Sequence, residues 1–344
     1  MDTATQSIKQ NEQKAAAEGA PTLMQRWGQW KRMYPNLGTY ASLLSLTVVL
    51  IVIMTLASDQ FLTRQNFINI ITQSAYYLVL SVGMTLVLTT GGIDISIGSL
   101  VGLSSSVMGF MIIAYGQPVW LSILTGTLVG VLGGAFNGFF IVKFRVAPII
   151  VTIGTFTMFR ALAYQFTGGE IVFGLPPEVR WITQSGFLGL PVSVYIAFAV
   201  VAWGIFFLAK TRSGREISAL GGNEKAAALA GLNVGWQKFK VYCIMGLLCA
   251  LAGLITMARL GVGDPKAGTG YEFHVIAAVV LGGTAITGGR GLMVGSFIAV
   301  IFLQIANNGL YFSGISWFWQ RVMIGTIFIV VVALRTFRTT QETH

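Results

Sequence analysis

Asp94 stands in TTGGIDISIGSL, residues 89–100, with mostly apolar chain on either side and with Gly91, Gly92, Ser96, Gly98 and Ser99 around it. A carboxylate after a glycine pair can do two kinds of chemistry. It can cap the free N–H groups of a helix that starts near Ile95, where the helix dipole favours an anion. It can also line a polar path or gate together with Thr89, Thr90 and Ser96. In an apolar medium an acid costs at least a few kcal/mol and marks a candidate site by default. Both readings stay open, because a cap that holds a helix break also shapes a passage. A second glycine-broken stretch, VVLGGTAITGGRGLMVGS at 279–296, sets Thr284 and Thr287 between Gly282–Gly283 and Gly288–Gly289. Close packing of small residues would explain one such stretch. Two of them, one in each half, point to a transport site between the halves. Asn137 in GGAFNGFF and Asn307–Asn308 in NNG join the same candidate pathway.

Other chemistry is sparse. His274 and His344 are the only histidines, so neither a metal cluster nor a Ser/His/Asp triad assembles, and no catalytic or metal residues are assigned. Cys243 and Cys249, six apart in one apolar segment, fit neither a metal nor a redox pair and read as small packing residues. No GxxxxGK[ST] loop occurs, so the chain is not expected to hydrolyse nucleotide.

The elements that must position these residues follow from composition. Of 344 residues, 54% are hydrophobic and 10% charged, whereas a soluble domain carries about 25% charge. The 42 glycines suit close helix approach in lipid. Runs near the roughly 20 apolar residues of a span occur at 40–57, 67–90, 97–115, 119–142, 147–167, 191–209, 241–259, 274–289, 292–309 and 318–334. The expected fold is an all-α polytopic membrane protein of about ten transmembrane helices. It forms one transmembrane domain over 40–335, between a polar tail at 1–39 and a short tail at 336–344. With the N-terminus inside, 16 of the 22 Lys and Arg fall on the inner side, so both ends are expected to be cytoplasmic. The net charge of +10 then reads as an address rather than a nucleic-acid surface. The opening residues are polar, without the apolar core of a secretory signal, so the tail is expected to stay where it is made. LMQRWGQWKRMY in the tail reads as a segment lying on headgroups.

The polar stretch TRSGREISALGGNEKAAALAGLNVGWQKFK holds a short helix. Asn223 caps it, Glu224 and Lys225 open it, Ala226, Ala227, Ala228 and Ala230 give it a small face, and Gly231 ends it. With Gly221 and Gly222 ahead of it, this helix suits insertion into a groove on a partner.

The order and spacing of GGIDISIGS, ALGGNEKAAALAGLNV, AGTGYEFHVIAAVVLGGTAITGGRG and NNGL resemble the membrane subunits of bacterial ABC sugar importers, in the ribose/xylose/arabinose/galactose permease family. The likeness covers about 60–335. Members commonly carry Leu and Val where Ile95 and Ile97 stand. The resemblance implies a fold similar to type II ABC importer permeases and pairing with a second permease subunit, the same or homologous. It also implies cytoplasmic ATP-binding subunits that carry ATP and magnesium, and a periplasmic sugar-binding protein. Residues 221–231 would then be the coupling helix. Solutes in this branch include pentoses, hexoses, deoxy sugars, polyols and a furanose-like signalling molecule. An ion-coupled secondary transporter is the rival reading; beyond Asp94 and Arg160 the spans offer few charges for it.

Overall fold

The computed structural model describes residues 36–184 and 186–316, and single positions and short runs between 318 and 333. The polar tail through residue 35, its headgroup segment, the C-terminal tail and several positions of the expected last span lie outside the described residues; the positions of that span that are described are helical. The chain divides into a unit over 1–42 and a compact unit over 43–344.

Twelve helices are described before residue 317: α1 (Leu37–Ala57), α2 (Arg64–Thr89), α3 (Ile97–Ile113), α4 (Val119–Lys143), α5 (Pro148–Thr167), α6 (Pro177–Arg180), α7 (Val192–Lys210), α8 (Arg212–Gly222), α9 (Glu224–Leu229), α10 (Val234–Leu260), α11 (Tyr271–Leu281) and α12 (Met293–Phe312). Seven of them, α1, α2, α4, α5, α7, α10 and α12, are long and apolar enough to cross a membrane. A two-residue strand pair joins β1 (Val172–Phe173) to β2 (Val262–Gly263), tying the segment after α5 to the turn after α10.

One expected span is corrected. The span expected at 274–289 is an 11-residue helix, α11, followed by a non-helical loop through Leu292. At 1.5 Å per residue it reaches only about 16 Å, roughly half a hydrocarbon core. Gly283, Gly288 and Gly289 all take positive φ, which ends the helix and turns the chain. The span expected at 97–115 is the 17-residue α3, about 25 Å long. Both short helices lie beside the breaks at Gly91–Gly92 and Gly282–Gly283.

Helices α2 and α10 form the centre, buried along most of their length. In α4 the glycines recur every fourth residue, Gly126, Gly130, Gly134 and Gly138, and pack against α3 and α10. A Cβ on Gly246 of α10 would lie 2.9 Å from the Gly134 nitrogen, so the two helices meet backbone to backbone. The opposite face of α4 carries exposed Leu124, Leu128, Leu132 and Phe136, an apolar stripe suited to lipid. Cys243 is half-buried, Cys249 is buried, and both are free thiols.

A charged side chain near the end of a span ordinarily snorkels to the headgroups. Arg160 turns inward instead, donating to the carbonyls of Pro265, Ala267 (2.9 Å) and Gly98 (3.2 Å). The guanidinium thereby clamps the segment before α11 onto the start of α3. Three carbonyls repay desolvation of the charge better than lipid could.

Candidate functional site

Helix α2 ends where Thr90 and Gly91 turn; Gly91 has φ +79° and the chain is non-helical from there to Ser96. Asp94 sits in that non-helical stretch, 1% exposed. Its Oδ1 accepts from the Ser96 backbone N–H (2.9 Å) and from the Ser96 hydroxyl (2.6 Å). The expected cap on the N–H groups of α3 is therefore corrected. Asp94 closes a local turn onto Ser96, and Ser96, not Asp94, occupies the N-cap of α3 without a side-chain cap bond. The difference arises because the helix begins at Ile97, two residues later than the glycine pair suggested.

The chain of hydrogen bonds continues across three helices. Asn137 of α4 donates to the Ser96 hydroxyl (2.9 Å), and Thr155 of α5 donates to Asn137 Oδ1 (2.7 Å). Thr152, one turn earlier, donates to the Ile93 carbonyl (3.2 Å). Every one of these polar groups is buried or nearly so, so the network fixes the non-helical stretch in one arrangement. Asp94→Asn keeps an acceptor oxygen and is expected to hold membrane abundance within about twofold. Asp94→Leu leaves the buried Ser96 N–H and hydroxyl without their partner, a loss of about 1–3 kcal/mol, and is expected to lower abundance severalfold. Quantitative immunoblots of membranes decide between them; equal abundance for both would remove the network from the account.

Three glycine turns meet at the Thr89 end of α2. The Gly289 N–H donates to the Thr89 carbonyl (2.9 Å). A Cβ on Gly221, in the last turn of α8, would strike that same carbonyl and the Gly289 nitrogen. One on Gly288 would lie 2.8 Å from the Gly221 carbonyl and 2.9 Å from the Gly91 nitrogen. The loop after α11, the end of α2 and the polar helix α8 thus approach one another backbone to backbone at these glycines. Beside this junction is a cavity of about 300 Å³ lined by Thr90, Gly91, Gly92, Gly221, Gly222, Asn223, Glu224, Lys238, Tyr242 and Thr287, among others. The Tyr242 hydroxyl, buried and without a hydrogen-bond partner, faces Gly92 at this cavity.

The polar segment contains two helices where one was expected. α8 starts at Thr211, whose hydroxyl accepts from the Gly214 N–H (3.1 Å), and buries Ile217 and Leu220. α9 follows a kink at Asn223, whose Oδ1 accepts from the Ala226 N–H (3.0 Å), and ends before Gly231 at φ +81°. Its outward face is not the alanine run as a whole. Ala227 points into its own chain and is buried, while Ala226, Ala228 and Ala230 are exposed and Leu229 is 90% exposed. Glu224 is engaged with Lys238 at 2.7 Å, whereas Lys225 is exposed. Nothing in the sequence marks Leu229, because a leucine beside alanines resembles an ordinary packing residue.

The remaining candidates lie elsewhere. Thr284 accepts from the Leu292 N–H (3.0 Å) and closes the loop before α12. Asn308 exchanges two hydrogen bonds with Asn66 (2.8 and 2.9 Å), joining α12 to the Arg64 end of α2. Asn307 donates to Gln304 (3.4 Å). These asparagines are at the far end of α2 from the glycine junction.

Residues 66–332 match the family described as branched-chain amino acid transport system / permease component. The chain is similar to the ribose import permease protein of Bacillus subtilis (strain 168), 39% identical over 312 residues that cover 89% of this chain and 93% of that protein. It is 31% identical to the D-allose transport system permease protein of Escherichia coli (strain K12), over 86% of this chain and 90% of that one. It is also 31% identical to the autoinducer 2 import system permease protein of Klebsiella pneumoniae, covering 83% of each. No solved structure matches the chain.

Proposed function

Since the chain belongs to the family of branched-chain amino acid transport system permease components, we propose that it is the membrane permease subunit of an ATP-driven importer for a monosaccharide or related polyol in a bacterial inner membrane. The solute class rests on the relatives, whose names specify ribose, D-allose and autoinducer 2 rather than an amino acid. The chain itself carries out no chemistry in this reading. Hydrolysis of ATP with magnesium takes place on separate cytoplasmic subunits, a periplasmic binding protein delivers the solute, and a second permease subunit completes the path.

The observation that carries the proposal is the glycine junction. Helix α9 presents exposed Leu229 outward, while α8, on which it is mounted, touches the end of α2 and the loop after α11 through Gly221. A push on α9 reaches both broken helices without crossing any flexible side chain. Residues 221–231 therefore act as the coupling element, and Thr90, Thr287 and Tyr242 line the inner mouth of the path. Asp94, Ser96 and Asn137 hold the break rather than touch solute. Ion-coupled transport is less well supported, because Asp94 and Arg160 are both committed to internal hydrogen bonds.

Orientation follows from the basic residues, with both termini and α8–α9 cytoplasmic. A tagged chain is expected to copurify a cytoplasmic ATPase subunit, and a periplasm-dependent reporter is expected to be active within 170–188 and inactive after 338. Purification of the chain without any ATPase, or the reverse reporter pattern, would overturn the proposal.

A further inference from the structure

A second cavity, about 340 Å³, lies at the Arg64 end of α2, away from the glycine junction. It opens between the first turns of α2, residues Thr183, Gly189 and Pro191, and the last turn of α10. Gln65, Asn69, Thr72, Thr183 and Arg259 supply its polar groups, and among the described residues no carboxylate lines it. Arg259 forms no ion pair among the described residues. One of its N–H groups goes to the Tyr76 hydroxyl (3.2 Å), leaving most of its five donors for another partner. The hydroxyl protons of Thr72 and Thr183 are spent on the carbonyls of Ile68 (2.6 Å) and Ala258 (3.1 Å), so their lone pairs remain as acceptors. Next to the cavity, Arg259 lies over the Tyr76 ring, and that ring stacks on Tyr271 at 4.8 Å and 12°.

This combination selects a ligand. The volume is at the low end of small-molecule pockets, about 300–1,000 Å³, which suits a single sugar ring. A cation is excluded by the unpaired guanidinium. Amides, an arginine fork and threonine lone pairs mix donors with acceptors, as vicinal hydroxyls do, whereas a lone anion would leave the acceptors unmatched. We propose that this cavity is an entry subsite that receives a neutral, monosaccharide-sized polyhydroxylated solute, with Arg259 and Asn69 hydrogen-bonding its hydroxyls before it moves inward. The identity of the solute rests on the permease reading above; the existence of the site does not.

The test uses the permease–ATPase complex in nanodiscs, without binding protein, and saturation-transfer NMR with D-ribose, D-allose and ribose 5-phosphate as probes. At least one neutral sugar is expected to bind, and Arg259→Gln is expected to weaken it at least tenfold. Asn69→Ala, at an exposed position, is expected to weaken it severalfold and serves if Arg259→Gln lowers abundance. No binding by either neutral sugar, binding by the phosphate alone, or equal binding by wild type and both variants would each overturn the site. Vesicle uptake with the binding protein added separates the two claims: sugar binding lost in the variants without any wild-type uptake supports the site while removing the importer reading. Normal uptake without detectable binding removes the site and leaves the importer.

Discussion

Replacing Gly221 by valine is expected to abolish uptake and to cut membrane abundance at least fivefold, while Gly222→Ala leaves both near wild type. The two glycines are neighbours in sequence but not in environment. A Cβ at 221 meets backbone only, the Thr89 carbonyl and the Gly289 nitrogen, which are themselves joined by a hydrogen bond. Backbone cannot rotate away as a side chain does, so the bond must open and the two strands of chain must part. Overpacking costs about 1–3 kcal/mol, and loss of a buried hydrogen bond adds about 1–3 kcal/mol. At 222 a Cβ would enter open space. Immunoblots and uptake on the pair of variants check this; equal behaviour would mean that the glycine junction is not a tight contact.

The second large effect is expected at Leu229. A leucine with 90% of its surface exposed on a polar segment stabilises nothing in its own chain. Leu229→Glu is therefore expected to leave abundance unchanged. If α9 seats in a groove on the ATPase, a charge there removes an apolar anchor, and burying a leucine side chain contributes about 2 kcal/mol. Copurification of the ATPase is expected to fall about thirtyfold, and uptake with it. Ala227→Trp, at first sight the natural probe of this helix, tests something else. Ala227 is buried against its own chain, so tryptophan there is expected to reduce abundance through overpacking. Normal copurification with Leu229→Glu would move the docking surface elsewhere.

These contrasts mark what the sequence conveys and what it withholds. Apolar length reveals the full spans, because one physical requirement, about 20 apolar residues, sets it. The Asn223 cap and the Gly231 stop are equally legible, since a side-chain acceptor and a positive φ each demand particular residues. The half-length α11 is not, because Gly282–Gly283 in an apolar run permits either a kinked span or a true end. The partners of Asp94 are not legible either. Ser96 is two residues away, but Asn137 and Thr155 reach the network across 41 and 59 positions of chain from Ser96, and only packing brings them there. α8 is legible in its own residues: Thr211, with Ile217 and Leu220 at helical spacing, is an N-cap followed by an apolar face. Arg160 is legible as a charge at a span end, but its three carbonyl partners, distant in sequence, are not.

Proteoliposomes containing the permease, its ATPase subunits and its sugar-binding protein give the most direct test of the whole account. Uptake of radiolabelled sugar is followed with ATP inside, with ATP plus vanadate, and with a protonophore. The account predicts uptake that requires ATP, stops with vanadate, ignores the protonophore and fails in Leu229→Glu. Uptake that proceeds without ATP and collapses with the protonophore would contradict it.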